Sequence, residues 1–250
     1  VSDTHISAVS PAGTGTVQVT VTTPGGTSNG LAFSHMAIPA VSAVIPGQGP
    51  LSGGNTVTLT GSDLTAATAV TFGATAAASF TVVSPTQITA VAPPGAAGPV
   101  WVTVTTPGGT SAPGASYFYV NAPVVTAITP VSGPLAGGNT VTVTGSHLIE
   151  ALTVRFGTTA ASFTSVSDVQ LTAVAPPGAA GTVQLTVTTA GGTSVGVPYR
   201  YLAAPAITAV SPTQGPAAGG NTVTLTGSNL TEATAVAFGG TPVAFTVVSD

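Results

Sequence analysis

The fold is decided by one stretch of sequence, Gly49-Pro50-Leu51-Ser52-Gly53-Gly54-Asn55-Thr56-Val57-Thr58-Leu59-Thr60-Gly61-Ser62. Closely similar stretches occupy residues 133–146 and 215–228, and their central asparagines, Asn55, Asn139 and Asn221, are spaced by 84 and then 82 residues. A second block, at residues 17–28, recurs out of phase at residues 100–111 and 183–194. Self-similarity at such a period indicates a tandem array of one structural unit.

The residues within each block alternate with period 2, which is typical of a β-strand. Val57 and Leu59 share one face of the predicted strand, and the threonines beside them share the other. Glycine and proline pairs interrupt the runs at about the 8–12-residue spacing of a β-sandwich, and no window shows a helical stripe. One unit is predicted to contain about seven strands, at residues 124–129, 140–144, 153–156, 161–165, 170–174, 183–189 and 198–202.

The chain is therefore predicted to be all-β, with two packed sheets in each immunoglobulin-like unit. Aromatic and aliphatic side chains should meet between the sheets. In one unit these are Phe72, Phe80, Ile88, Val104 and Tyr117, and in the next they are Phe156, Phe163, Leu171, Val187 and Tyr199.

Prolines mark the joints between the units, at Pro39, Pro123 and Pro205. We expect half a domain at residues 1–38, complete domains at 39–122 and 123–204, and another half at 205–250. Short linkers that contain proline favour a semi-rigid, elongated array. The chain starts and stops at the same point of the repeat, at Val1-Ser2-Asp3 and Val248-Ser249-Asp250. Either the chain is a window of a longer polypeptide, or the tail of one chain completes the head of the next.

The repeated block resembles the IPT/TIG domain family. The matching positions are Gly53, Gly54, Gly61, Leu64, Phe72 and Gly73 in one unit, and Gly137, Gly138, Gly145, Leu148, Phe156 and Gly157 in the next. The resemblance implies immunoglobulin-like domains of the kind shared by plexins, Rel-type transcription factors and bacterial surface proteins. The lysine-free composition, rich in Ala, Thr, Val and Gly, is more similar to bacterial tandem copies, which act as spacers, adhesins or modules attached to glycan-active enzymes. Because the matching positions are structural, they predict the fold, and function follows from them only by analogy.

Charged residues are scarce, with 2 Lys or Arg and 6 Asp or Glu in 250 residues. Two cationic side chains cannot neutralise a nucleic-acid backbone or form a polybasic patch for a membrane surface. The apolar runs are too short to span a bilayer. The absence of cysteine excludes disulfides and thiolate metal sites.

Catalysis is not expected, because general acid–base chemistry needs a pair of positioned titratable groups. Asp63 is the sole carboxylate between residues 39 and 122, and that segment contains no His, Lys or Arg. The next unit carries His147, Glu150, Arg155, Asp168 and Arg200. Most of these lack counterparts in its twin, so they are interpreted as solvated surface residues.

The three histidines fall at unrelated positions of the repeat and predict no metal site or other cofactor. His5 stands where the other units have Gln87 and Gln170, and His35 stands where they have Tyr119 and Tyr201. His147 is placed in a turn together with its counterparts Asp63 and Asn229.

Trp101 is the most informative deviation between the units, because its counterparts on the polar face of the strand are Gln18 and Gln184. An exposed tryptophan stacks on a sugar ring or anchors an interface. The other interpretation is that Trp101 lies over neighbouring proline or threonine side chains. It is the candidate glycan or interface contact of the chain.

The sequence thus predicts a non-catalytic structural or adhesive repeat protein that is secreted to the cell surface or beyond and forms a rod or filament. Its expected partners are copies of itself, arranged head-to-tail or laterally, since so few charges protect poorly against self-association. The alternative is an array that binds a cell-surface glycan or serves as a spacer, accessory to an enzyme or a surface receptor.

Overall fold

A computed structural model describes residues 3–248, and within that range every regular element is a β-strand. The predicted all-β fold is therefore confirmed. The strands cluster into two compact units, which divide between Asn121 and Ala122 apart from a short insertion at residues 190–192. The outermost residues of the two expected half-domains, 1–2 and 249–250, lie outside the described residues.

Residues 3–38 form two antiparallel hairpins. Strands β1 (Gly15–Val19) and β4 (Leu31–His35) form the larger one. Strands β2 (Thr22–Thr23) and β3 (Gly26–Thr27) form the smaller one. Because β1 and β4 pair Val17 with Phe33 and Val19 with Leu31, these four apolar side chains share one face.

Residues 39–122 form a complete sandwich of two sheets. The strands are β5 (Ala40–Ile45), β6 (Gln48–Pro50), β7 (Thr56–Ser62), β8 (Ala69–Phe72), β9 (Thr75–Ala76), β10 (Ser79–Ser84), β11 (Gln87–Val91), β12 (Gly98–Thr106), β13 (Gly109–Thr110) and β14 (Ala115–Val120). One sheet has the order β10-β11-β7-β5, and the other has β6-β14-β12-β8-β9 with β13 beside β12. The short β6 runs parallel to β14 and pairs Gln48 with Phe118 and Pro50 with Val120.

The core of this sandwich follows the alternation of the sequence. Val57 and Leu59 are fully buried, and so are Val102 and Val104 on the facing sheet. Of the five predicted core residues, Phe72, Ile88, Val104 and Tyr117 are buried. Phe80 is only half-buried, because it lies on the edge strand β10 and packs against the side of the core.

Residues 123–204 repeat the arrangement. The strands are β15 (Val124–Thr129), β16 (Ser132–Pro134), β17 (Thr140–Ser146), β18 (Thr153–Phe156), β19 (Thr159–Ser167), β20 (Gln170–Val174), β21 (Gly181–Thr189), β22 (Gly192–Thr193) and β23 (Val197–Leu202). The long β19 pairs with β18 through its first residues and with β20 through its later ones, so the two sheets are joined along one edge. Phe163 on β19 is half-buried, and the other four predicted core residues are buried.

Two details differ from the sequence prediction. The parallel strand β16 was not expected, because a three-residue Ser-Gly-Pro segment carries no alternation. The strands predicted at residues 183–189 and 198–202 pair over only part of that length. β23 pairs with β21 from Gly181 to Leu185, and the far end of β21 pairs with the short β22 instead.

Residues 205–248 form two hairpins. Strands β24 (Ala206–Ser211) and β25 (Thr224–Ser228) form one, and β26 (Val236–Phe238) and β27 (Thr241–Val243) form the other. Their sequence positions match β5, β7, β8 and β9 of the complete sandwich. The register shift between β24 and β25 also recurs at the matching place between β5 and β7.

Close packing explains two of the glycines that define the repeat. A Cβ on Gly61 would collide with the carbonyl oxygen of Ala40 on the adjacent strand, where the register of β5 and β7 shifts. Gly53 has a φ of 65°, and a Cβ there would collide with the backbone of Pro93. Both positions therefore require glycine, which tolerates the left-handed region and close backbone approach.

Candidate functional site

Trp101 lies on the outer face of the sheet that contains β12. The neighbouring Val102 is fully buried, and because successive strand residues point to opposite faces, Trp101 points outward with 54% of its surface exposed. Its backbone carbonyl accepts a hydrogen bond of 2.8 Å from the amide of Gly73. The interpretation of Trp101 as an exposed aromatic side chain agrees with this geometry.

A second aromatic side chain, Phe118, lies on the same outer face and was missed by the sequence reasoning. β12 and β14 pair Pro99 with Phe118 and Trp101 with Ser116. Trp101 and Phe118 are therefore diagonal neighbours, a relation in which the Cα atoms are about 7–8 Å apart. Phe118 is 46% exposed. We call these two residues the aromatic patch.

The run Tyr117-Phe118-Tyr119 contained the signal for Phe118. Its two tyrosines occupy core positions, so the residue between them must point outward. The aromatic patch is specific to this sandwich, because the next one has Gln184 and Arg200 at the matching register positions and residues 3–38 have Gln18 and Ser34.

Threonine pairs link neighbouring strands in both sandwiches. Thr71 and Thr103 are linked through their hydroxyls at 2.8 Å across β8 and β12. Thr105 with Thr110, and Thr188 with Thr193, are linked in the same way at 2.9 Å. Cross-strand threonine pairs of this kind stabilise a sheet, so these hydroxyls have a structural role beside their role in solubility.

His147 and Arg155, two titratable residues of the second sandwich, make separate contacts at the surface. His147 Nδ1 lies 3.9 Å from Asp168 Oδ2, and both side chains are about half exposed. Arg155 donates a hydrogen bond of 2.7 Å to the carbonyl of Thr158, in its own hairpin turn. His147 has a φ of 57° and lies in the predicted turn, as do its counterparts Asp63 and Asn229 with φ of 59° and 58°.

Arg200 belongs to a surface ion pair and to the rim of a shallow groove. Its Nη1 donates to Glu232 Oε1 at 2.8 Å, with both side chains about half exposed, and pairs of this kind contribute under about 1 kcal/mol. The groove is largely apolar and is lined by Thr126, Ala127, Ile128, Val131, Thr182, Val197, Pro198 and Arg200.

Buried tyrosines connect the sheets in both sandwiches. Tyr117 donates a hydrogen bond of 2.7 Å to Asn55 Oδ1, and Tyr199 donates one of 3.0 Å to Asn139 Oδ1. Burial raises the pKa of Tyr117 above its ordinary value of 10.0. Asn55 and Asn139 belong to the repeated block, and Tyr117 and Tyr199 share one repeat position, so this network recurs in both sandwiches as part of the fold.

Among residues 3–248, no group of three or more His, Asp or Glu side chains lies close enough together to hold a metal ion. The same part of the chain contains no helix with the length and apolar character needed to cross a membrane.

Comparison with known proteins agrees with the geometry of the sandwiches. The IPT/TIG domain model matches residues 39–119, 123–201 and 205–250, which is most of the chain. The chain belongs to the IPT/TIG domain family. Within this chain, the features that recur from unit to unit are the asparagine block, the packed glycines, the buried leucine and the buried phenylalanine.

Several solved structures are similar to this IPT/TIG chain. The extracellular region of plexin A4, domains 1 to 10, shares 20% identity with a TM-score of 0.48 and aligns over 72% of this chain and 17% of its own. The surface glycan-binding protein SGBP-B of Bacteroides uniformis shares 21% identity with a TM-score of 0.31, over 65% of this chain and 49% of its own. The Yersinia pseudotuberculosis adhesin InvE shares 15% identity with a TM-score of 0.27, over 66% of this chain and 58% of its own.

The chain thus spans less than a fifth of the plexin region that it matches. No curated protein sequence matches it.

Proposed function

We propose that this chain is a non-catalytic segment of an extracellular or cell-surface array, in which IPT/TIG domains act as a structural or adhesive rod. The observation that carries the proposal is the brevity of the joints. β14 ends at Val120 and β15 begins at Val124, while β23 ends at Leu202 and β24 begins at Ala206. Three residues, the last of them a proline, separate consecutive units at each joint, and such a linker restricts articulation.

The composition supports self-association and a bacterial surface origin as parts of the same proposal. Only 3% of the residues are charged, so electrostatic repulsion opposes contact between copies weakly. Threonine-rich outer faces offer hydroxyls to a neighbouring chain. Lateral or head-to-tail partners of the same sequence are therefore the proposed partners, and a secreted protein of a bacterial surface is the proposed setting.

Small-angle X-ray scattering of the monomer fraction tests the rod. We expect a narrow distribution of dimensions for the parent chain, and a broader one for a variant with a flexible Gly-Ser insertion between Asn121 and Ala122. The insertion is the matched control, because it changes the joint without touching either core. If the parent scatters as the insertion variant does, the joints are flexible and the proposal is wrong.

The aromatic patch supports a second candidate function, contact with a polysaccharide. Two exposed aromatic side chains that are diagonal neighbours on one sheet face provide a surface on which pyranose rings stack, because aromatic faces bury large apolar area. Such a surface would make the array a glycan-binding or spacer accessory of an enzyme or surface receptor.

Affinity electrophoresis in gels that contain neutral or acidic polysaccharides tests this candidate. We expect the parent to be retarded in at least one gel and the double variant Trp101→Gln, Phe118→Arg to migrate freely. These substitutions are the residues found at the matching positions of the second sandwich, so they suit the same sheet face. A parent that migrates freely in every gel, or a double variant that is still retarded, rules out the patch as a glycan site.

A further inference from the structure

The turn between β12 and β13, and the matching turns of the other units, contain two consecutive glycines. The pairs are Gly25-Gly26, Gly108-Gly109 and Gly191-Gly192. The second glycine of each pair has a positive φ, which favours glycine. The first glycine of each pair does not have a positive φ, so the turn itself would accept alanine there. Any requirement for glycine at the first position must come from outside the turn.

The linker ahead of the first sandwich imposes such a requirement on Gly108. A Cβ on Gly108 would collide with the carbonyl oxygen of Ala37 and would lie 2.8 Å from the carbonyl oxygen of Met36. A Cβ on Gly109 would lie 3.4 Å from the side chain of Ile38. Residues 36–38 therefore lie directly against the turn, and the contact leaves no room for a methyl group at position 108.

The turn is fixed firmly to its own sandwich. The amide of Gly108 donates a hydrogen bond of 3.2 Å to Thr106 Oγ1, and Thr106 is buried. Further along the hairpin, the amide of Val104 donates a bond of 3.1 Å to the hydroxyl of the buried Ser111. Buried hydrogen bonds of this kind are costly to break. A linker that packs on this turn is therefore held to the sandwich that the linker enters.

The second joint repeats the contact with a different linker sequence. Residues 190–192 cluster with the compact unit that ends at Asn121. Within that unit, a Cβ on Gly191 would collide with the carbonyl oxygen of Asn121 and would lie 2.8 Å from that of Val120. Asn121 and Val120 stand at the repeat positions of Ala37 and Met36. The contact is made by backbone atoms, so it does not depend on which side chains the linker carries.

A buried proline ends each of these two linkers. Pro39 is buried although residues 36–38 are exposed, and Pro123 is buried although residues 121–122 are exposed. The linker backbone is thus packed at two places, against the glycine turn and at the proline. Proline also fixes its own φ, so little conformational freedom is left between the two contacts.

We propose that Gly108 and Gly191 each hold the linker ahead of their own sandwich, and that the stiffness of each joint depends on the absence of a side chain at these positions. We call these two residues the joint glycines. The proposal rests on the proposed function, in which short joints restrict articulation, and it names the contact that makes them stiff.

Alanine at a joint glycine should act on the linker alone. A Cβ atom does not approach a carbonyl oxygen closer than 3.0 Å, so the added methyl group would push the linker away from the turn. The turn itself would keep its conformation, because its φ at this position suits alanine. We therefore expect a mobile linker beside a folded sandwich.

Nitrogen-15 relaxation of the labelled 250-residue chain tests the proposal. In the parent we expect amide order parameters of about 0.85, the value of rigid backbone, at residues 37–38 and 121–122. Gly108→Ala should lower those of residues 37–38 below about 0.6, and Gly191→Ala should do the same at residues 121–122. Each variant is the matched control of the other, because each should loosen its own linker only.

Gly25→Ala controls for an effect of alanine on the turn itself. Among the described residues, a Cβ on Gly25 would meet only Thr23 Oγ1, at an ordinary distance of 3.6 Å, so both linkers should stay rigid. Thermal unfolding followed by Trp101 fluorescence should give Gly108→Ala the same midpoint as the parent, which shows that the sandwich is still folded.

Three results would overturn the proposal. Linkers that stay rigid in both variants would show that the prolines hold the joints alone, and the stiff rod would stand without the joint glycines. Loosening by Gly25→Ala, or of both linkers by one variant, would show that the effect is not the local contact. Linkers that are already mobile in the parent would also contradict it, and the scattering experiment would then report the failure of the rod separately.

Discussion

Replacing Tyr117 with phenylalanine removes a single hydroxyl from the core of the first complete sandwich. That hydroxyl donates the 2.7 Å bond to Asn55 Oδ1. The ring itself should stay in place, because it packs edge-to-face on Phe72 and on Tyr119, and because the chain already holds a phenylalanine, Phe33, at the corresponding position.

The loss of stability comes from the Asn55 amide, which stays buried after the hydroxyl is removed. Asn55 Nδ2 is buried and has no hydrogen-bond partner, so the loss of Tyr117 would leave both ends of the amide unpaired. A lost bond whose partner stays buried costs about 1–3 kcal/mol. We expect the free energy of unfolding to fall by about 2 kcal/mol. The midpoint temperature of thermal unfolding should then fall by roughly 8–16 °C, at about 4–8 °C per kcal/mol for a domain of this size.

Thermal unfolding followed by tryptophan fluorescence isolates the effect. Trp101 is the single tryptophan of the chain and reports on the sandwich that contains Tyr117. The matched variant Tyr199→Phe breaks the equivalent bond to Asn139 in the second sandwich and should leave the tryptophan-detected midpoint unchanged. A loss below about 0.5 kcal/mol for Tyr117→Phe, or equal shifts for the two variants, would refute the reasoning.

Two further predictions concern the cores. Burial raises the pKa of three tyrosines above the ordinary value of 10.0, namely Tyr117, Tyr119 and Tyr201. The unfolded chain releases these protons at a lower pH than the folded chain, so the free energy of unfolding should be constant up to about pH 9 and should fall as the pH rises through 10 and above. Urea unfolding midpoints measured from pH 8 to 11 check this. A loss of stability that starts below pH 9 contradicts it. Leu64 and Leu148 occupy the same repeat position and are fully buried. Alanine at either position should lower the free energy of unfolding, measured in urea, by about 2–5 kcal/mol. The control Val166→Ala should change it little, because Val166 is exposed.

The sequence predicted the sandwich well where alternation and repetition act together. Val57 and Leu59 were placed on one face of a strand from their spacing alone, and both are fully buried. The turns that contain Asp63, His147 and Asn229, one in each unit, were also placed correctly, because these three residues stand at the same repeat position. Local patterns suffice in these cases because the strand period decides which side chain enters the core.

Other features depend on partners that lie far away in the sequence. Phe80 and Phe163 were predicted to be core residues but are half-buried. Phe80 lies on the edge strand β10, and Phe163 lies in the part of β19 that pairs with β20 alone. Both positions depend on sheet order, which the local pattern does not reveal. The strand Ser132–Pro134 exists because Gly133 pairs with Tyr201. For the candidate site, Trp101 was found as a deviation from the repeat, whereas Phe118 required the register between β12 and β14 to be seen as its neighbour.

The parallel pairing of β6 with β14 has a mechanical consequence. The chain enters the first sandwich through β5, which belongs to the other sheet, passes next into β6 and leaves at the end of β14. Tension that reaches β6 therefore pulls β6 and β14 in opposite directions along their length. Gln48–Phe118, Gly49–Tyr119 and Pro50–Val120 are then loaded together in shear, instead of opening one after another as in a zipper. The second sandwich repeats this clamp with Ser132–Arg200, Gly133–Tyr201 and Pro134–Leu202, so in each domain the second strand is held to the last one by three pairs that share the load.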